Sequence, residues 1–225
     1  LNDTYTQMAQ TGSMLNAANN QLSHYPSRPS GMSDELYELG YSGTSSSNIA
    51  MTSWRSSLLK SLMMWMDDSD SSNIDRLGHR RWILNPTMQQ TGFGYAVSNS
   101  GAAYSSVYVF DYDYHNTDVT GVAWPATEMP KRYFESSSAW SYSYGSSLNG
   151  NVSVKLQCLT TGRERTWNFS SAASDGYFNV DNGGYGQKGC VIFKPDSISI
   201  QAGENYEVTI TQDGTVIADY TVHFF

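Results

Sequence analysis

After Trp124-Pro125 the chain breaks into seven short β-prone runs, and no other feature limits its possible folds so strongly. They are Trp140–Tyr144, Val152–Leu159, Thr166–Phe169, Tyr177–Val180, Cys190–Phe193, Tyr206–Thr211 and Val216–Phe225, with Gly, Asn, Asp and Pro between them. Short strands at this spacing, punctuated by turn residues, predict a small antiparallel β-sandwich of immunoglobulin-like type.

The first half has the opposite texture. Tyr5, Met8, Ala9, Gly12, Leu15 and Leu22 mark one face of a helix over Asp3 to Ser23. Asp3 is the expected N-cap and His24-Tyr25-Pro26 the stop, since the residue before a proline avoids helical geometry. A short helix around Asp34 to Leu39 should end at Gly40. Trp54, Leu58, Leu62 and Met66 are spaced by four, with Leu59 and Met63 widening the stripe, and predict a long helix ending in Asp67-Asp68-Ser69-Asp70. Acids at a helix C-terminus oppose the macrodipole, so these are either solvated or hold something positive. A third helical segment, Ile74 to Leu84, stops at Asn85-Pro86. Strands follow at Gly92 to Val97 and Tyr104 to Tyr112. The expected class is α+β, with a helical and sheet domain over 1–124, a β-sandwich over 125–225, and a boundary within Gly121–Pro130. There is no internal repeat.

Composition removes several functions. A formal net charge of -8 leaves no basic footprint for nucleic acid or an anionic membrane surface. No run of 18 apolar residues exists, so no membrane span is expected. The chain begins at Leu1, directly in a helical pattern and without a visible signal peptide, which reads as a processed or trimmed form. Two cysteines, Cys158 and Cys190, fall in strand-like runs. A disulfide between them would close about 33 residues and add roughly 3–4 kcal/mol; two buried free thiols are the alternative. Cys-x-x-Cys is absent.

The residues that carry chemistry lie in the first half. They are Leu22-Ser23-His24, Ser47-Asn48-Ile49-Ala50, Trp65-Met66-Asp67-Asp68, Gly78-His79-Arg80, Ile83-Leu84-Asn85-Pro86 and Gly92-Phe93-Gly94. In that order and spacing they resemble the CAP superfamily (cysteine-rich secretory proteins, antigen 5 and pathogenesis-related 1 proteins; SCP domains) in its bacterial form. The resemblance implies an α-β-α sandwich with a cleft of two histidines and two acids, which in some relatives holds a divalent metal. His24 and His79 carry over as the histidines and Asp68 as the second acid, with Asp67 its competitor and Arg80 nearby. Ser47 stands where the family has a glutamate. A hydroxyl is a poor neutral ligand, so a zinc site would keep His24, His79 and Asp68 at most.

Other features have plainer readings. One of Arg80 and Arg81 should pair with Asp67, Asp70 or Asp75 and the other be solvated; Trp82, Ile83 and Leu84 should be core. Asp68 to Asn73 lacks the glycine and glutamate of an EF-hand. Asp111-x-Asp113 lies on one strand face and is either solvated or a cation ligand. The implied function is a secreted or cell-surface, non-catalytic binding module whose ligand is a protein, glycan or lipid. The alternatives are a metal-assisted or histidine-dependent hydrolase, with Ser47 as an imaginable nucleophile but no Gly-x-Ser-x-Gly elbow, and an adhesion protein working through its β domain.

Overall fold

A computed structural model describes residues 1–111, 117–119 and 121–225. The chain is mixed α+β and divides by contact into two units: Leu1–Met66 with Pro86–Thr117, and Asp67–Asn85 with Asp118–Phe225. The segment Asp67–Asn85 therefore groups with the β-rich half of the chain, which no single cut along the sequence would produce.

In the first unit, α1 spans Asp3–Asn19. Its cap is Asn2 rather than Asp3: the Asn2 side chain accepts from Tyr5 N, and Asp3 becomes a first-turn acid that favours the dipole. The helix stops at Asn20, which is left-handed at φ 49°, well before His24-Tyr25-Pro26. Helix α2 runs Asp34–Ser45, capped by Ser33, and continues through Gly40. Glycine eases the packing there, since a Cβ would sit 2.6 Å from Leu15 Cδ1 on α1 and that side chain would have to shift. At Gly43 the crossing is tighter still: a Cβ would lie 1.9 Å from the Met8 carbonyl oxygen.

Strand β1 is Ser47–Thr52 and helix α3 is Leu58–Asp67, shorter than the stripe from Trp54 suggests. Trp54 and Arg55 both have positive φ, which breaks the helix before Leu58. Strands β2, Phe93–Val97, and β3, Ala103–Tyr108, complete an antiparallel sheet in the order β1-β3-β2. The expected end of β3, Tyr112, lies outside the described residues. Neighbouring side chains on a strand point to opposite faces. Ser106 Oγ accepts from Ser13 on α1, whereas Ser105 Oγ accepts from Ser61 on α3. The two helices therefore cover opposite faces of the sheet, and Tyr108 stacks on Tyr5 of α1 at 4.1 Å between centroids.

The second unit holds the short helix α4, Gly78–Ile83, and a single 3-10 turn at Lys131–Tyr133 among the described residues. Its strands are β4 Val122–Trp124, β5 Glu128–Met129, β6 Trp140–Ser143, β7 Val152–Cys158, β8 Arg165–Ser170, β9 Gly176–Asp181, β10 Cys190–Pro195, β11 Asn205–Gln212 and β12 Thr215–Phe224. All seven runs expected from the sequence are strands. The short β4 and β5 carry no comparable sequence signal. The sheets have the orders β4-β6-β10-β9 and β5-β12-β11-β7-β8; β5 pairs with β12 in parallel and every other pairing is antiparallel. Both sheets feed one buried cluster that includes Trp140, Leu156, Phe169, Phe193, Val208 and Phe224. Burying each of the aliphatic or phenyl side chains contributes roughly 1.5–3 kcal/mol.

The expected disulfide does not form: Cys158 and Cys190 are both free and buried. Alternation along β10 is the reason. Val191 and Phe193 face the main cluster, which contains Cys158, while Cys190 and Ile192 face a separate small cluster with Leu77 and Ala139. Burial raises the Cys190 thiol above its ordinary pKa.

Candidate functional site

The acid of the Trp-x-x-Asp motif and the Gly-His-Arg motif meet in the second unit. After α3, Asp68 takes a left-handed conformation at φ 47° and turns the chain. The following loop is tied by Asp70, whose side chain accepts from Ser72 N and Asn73 Nδ2, each at 2.9 Å. Those bonds, from Asn73 first and then Ser72, hold the Asp70 carboxyl below its usual pKa. Helix α4 then starts at Gly78, and its N-cap, Leu77, offers no side-chain acceptor. Asp68 fills that role from a distance in sequence. Its Oδ2 accepts from His79 N at 2.9 Å and from Arg80 N at 3.4 Å, and its Oδ1 accepts from His79 Nδ1 at 2.8 Å. The Asp68 side chain is 2% exposed and the His79 ring 30%. A carboxylate can only accept, so the proton of neutral His79 sits on Nδ1 and the lone pair on Nε2.

Arg80 and Arg81 are both buried, which corrects the expectation that one is solvated. They diverge by about 100° around the helix, so each meets its own partners. Arg80 donates to the Ala139 carbonyl at 2.8 Å, to Ser141 Oγ at 3.0 Å and to the Asp67 carbonyl. Burial lowers its pKa, the nearby charges of Asp68, Cys190 and Asp67 partly oppose that, and the net value is about 10. It stays cationic at neutral pH. Arg81 pairs with Asp181 rather than Asp67, Asp70 or Asp75, and donates to the carbonyls of Gly183, Gln187 and Arg76. Its guanidinium lies 5.2 Å from the Tyr185 ring centroid. Trp82, Ile83 and Leu84 are half-buried, and the core residue of this segment is Leu77.

In the first unit, His24 lies beyond the end of α1 and is exposed. Its Nδ1 donates to the Thr44 carbonyl at 2.8 Å, and Thr44 Oγ1 donates back to the His24 carbonyl at 2.9 Å. Neutral His24 is thereby also fixed with its proton on Nδ1. Ser47 begins β1 opposite Tyr108; it is 4% exposed, and its Oγ has no hydrogen-bond partner among the described residues.

Several motif residues prove to be packing parts. Trp65 Nε1 donates to the Ile49 carbonyl at 3.2 Å and fastens α3 to β1. A Cβ at Gly94 would lie 2.1 Å from the Ala9 carbonyl oxygen, so Gly-x-Gly lets α1 rest directly on β2. Asp111 is buried, accepts from Tyr5 Oη at 3.0 Å through Oδ1, and accepts from Gln89 N and Gln90 N through Oδ2. It is not solvated. Asp113 lies outside the described residues.

Of the residues expected in the cleft, the structure joins Asp68, His79, Arg80 and the Asp67 carbonyl; His24 and Ser47 belong to the other unit. The cap role of Asp68, the Thr44 anchor and the Arg81–Asp181 pair have no sequence signal, because each joins residues at no helical or strand period. Asp68 spends its oxygens on three N–H donors, Ser47 is neutral, and among the described residues no group of three or more His, Cys, Asp or Glu is placed to hold an ion.

A comparison with curated proteins finds no match. Among the described residues, no helix is long and apolar enough to cross a membrane. Residues 1–112 match the family model CAP, the cysteine-rich secretory protein family, and this match supports placing that part of the chain in the CAP superfamily.

Proposed function

We propose that this chain is a secreted or cell-surface binding module of the bacterial CAP type, with an immunoglobulin-like β-sandwich as its second part, and that it is not a catalyst. The family match favours an extracellular binding role. The observation that carries the non-catalytic reading is Ser47. The only nucleophile suggested by the motifs is buried, and among the described residues its hydroxyl bonds to no base; acyl transfer needs a nucleophile within reach of a positioned base. The two histidines are instead held rigid through Nδ1, by Thr44 in one unit and by Asp68 in the other. Rings fixed in orientation and tautomer are suited to recognition, because their ordering cost is met before a ligand arrives.

The test is a calorimetric screen of lipids, glycans, cell-wall fragments and peptides, run beside turnover assays on casein, peptide and ester substrates. Binding that weakens in His24→Ala or His79→Ala, with no turnover, is the expected result. Turnover abolished by His79→Ala would establish the hydrolase reading in its place.

A further inference from the structure

Helix α3 is apolar almost all the way round. Seven of the ten residues in Leu58–Asp67 are Leu, Met or Trp, and the polar exceptions are Lys60, Ser61 and Asp67. Ser61, Trp65 and Met66 are buried, and Ser61 and Trp65 tie the helix to the sheet through Ser105 and the Ile49 carbonyl. The opposite arc carries Leu59, 55% exposed, Met64, 42% exposed, and the half-buried Met63. An ordinary surface helix turns polar residues to that side, whereas a helix apolar on all sides is covered on all sides. Methionine is common on surfaces that receive a partner, because its unbranched chain adapts to what it meets.

The two charges of α3 lie on the same outward arc. Lys60 and Asp67 are seven residues apart, so they differ by only about 20° around the helix axis and by about 10 Å along it. Met63 and Met64 fall between them, one to each side of the line that joins them. Both charged residues are exposed, and among the described residues neither takes part in an ion pair. Asp67 is held instead through its carbonyl, which accepts from Ser69 Oγ at 2.7 Å and from Arg80. Its carboxylate is left facing outward at one end of the stripe, with the ammonium of Lys60 at the other.

From these features we infer that α3 docks antiparallel against the α3 of a second copy of this chain. A two-fold interface needs a patch that complements itself after a half-turn. Lys60 and Asp67 stand equally far from the midpoint between Met63 and Met64. A half-turn about that midpoint therefore sets each Lys60 against the partner's Asp67 and packs the four methionines between the two ion pairs. A parallel arrangement would oppose like charges at both ends. A membrane surface offers nothing to Asp67, and a purely apolar ligand offers nothing to either charge. The contact is small: a helix about 15 Å long does not by itself bury the roughly 1,000 Å² of a stable interface. The dimer is accordingly a weak and reversible one.

Sedimentation equilibrium of the full chain from about 10 μM to about 1 mM spans the affinities open to a weak contact. Expected is a weight-average mass that rises with concentration toward that of a dimer. Lys60→Glu, or Asp67→Lys, turns two attractions per dimer into two repulsions and should weaken association by about tenfold or more. An equimolar mixture of these two variants should recover the parent's association, because both pairs across a mixed dimer are again of opposite sign. Met64→Glu, at an exposed position on the same arc, should abolish association without touching either charge. Unchanged circular dichroism confirms that each variant is folded; if one charge variant misfolds, the other and Met64→Glu decide. The inference is overturned if the parent stays monomeric at the highest concentration, or if either charge variant or Met64→Glu associates like the parent. It is overturned equally if the mixture of folded charge variants stays monomeric where the parent associates.

Discussion

Replacing Asp68 by asparagine separates the charge of this carboxylate from its shape. The amide oxygen of the Asp68→Asn variant can still accept from His79 N and Arg80 N, but its NH2 then faces His79 Nδ1, where the present ring also presents a proton. Two donors cannot share that contact, so the neutral imidazole should move its proton to Nε2 and accept from the amide. Three bonds to an anion become three neutral ones. Bonds to a charged partner contribute about 1.5–3 kcal/mol against about 0.5–1.5 for neutral ones, a loss near 3 kcal/mol in total. His79 is partly exposed, and solvent screening reduces this to roughly 2 kcal/mol. Asp68→Ala should cost more, about 3–5 kcal/mol, because three N–H groups lose their acceptor and alanine tolerates φ 47° less well than aspartate. Long-range imidazole nitrogen NMR reads the tautomer, and urea unfolding reads the stability. If the Asp68→Asn variant kept its proton on Nδ1, or lost less than about 0.5 kcal/mol, the assignment of Asp68 as the group that orients His79 would be wrong.

Three other perturbations follow from the packing. Burial raises the pKa of Tyr104, Tyr142, Tyr177, Tyr206 and Tyr220, so the folded state binds more protons than the unfolded state above the ordinary tyrosine value. Stability should therefore fall as pH rises through about 10, with late tyrosinate absorbance appearing together with unfolding. Arg80, lowered to about 10, has the opposite sign but is a single group. A smooth titration of all tyrosines in a folded protein would refute this. Dithionitrobenzoate should label neither cysteine until denaturant is added and then label both, with no mass change on reduction; a gain of two hydrogens would reveal the missing disulfide. Gly43→Ala should destabilise by about 3 kcal/mol or more through overpacking, whereas Gly184→Ala, with nothing within 4 Å of its Cβ, should fall within about 0.5 kcal/mol of the parent in thermal melts.

Elements whose signal is periodic were readable from the chain alone. Short β-prone runs bounded by Gly, Asn, Asp and Pro located all seven longer strands of the second half, and apolar residues recurring on one helical face located α1 and α3, because strand propensity, turn residues and helical side-chain direction are local properties of the chain. The order of His24, Gly78-His79-Arg80 and Gly92-Phe93-Gly94 was enough to suggest the CAP superfamily. Helix ends were read less well, because the cap at Asn2 and the stop at Asn20 depend on single backbone angles. What each motif does was not readable at all. Asp68 caps a helix eleven residues away, Gly94 makes room for a helix backbone, and Cys190 looks away from Cys158. The residue types at these positions were in the sequence, but their roles depend on strand register and on hydrogen bonds between distant segments, and only the tertiary structure decides those.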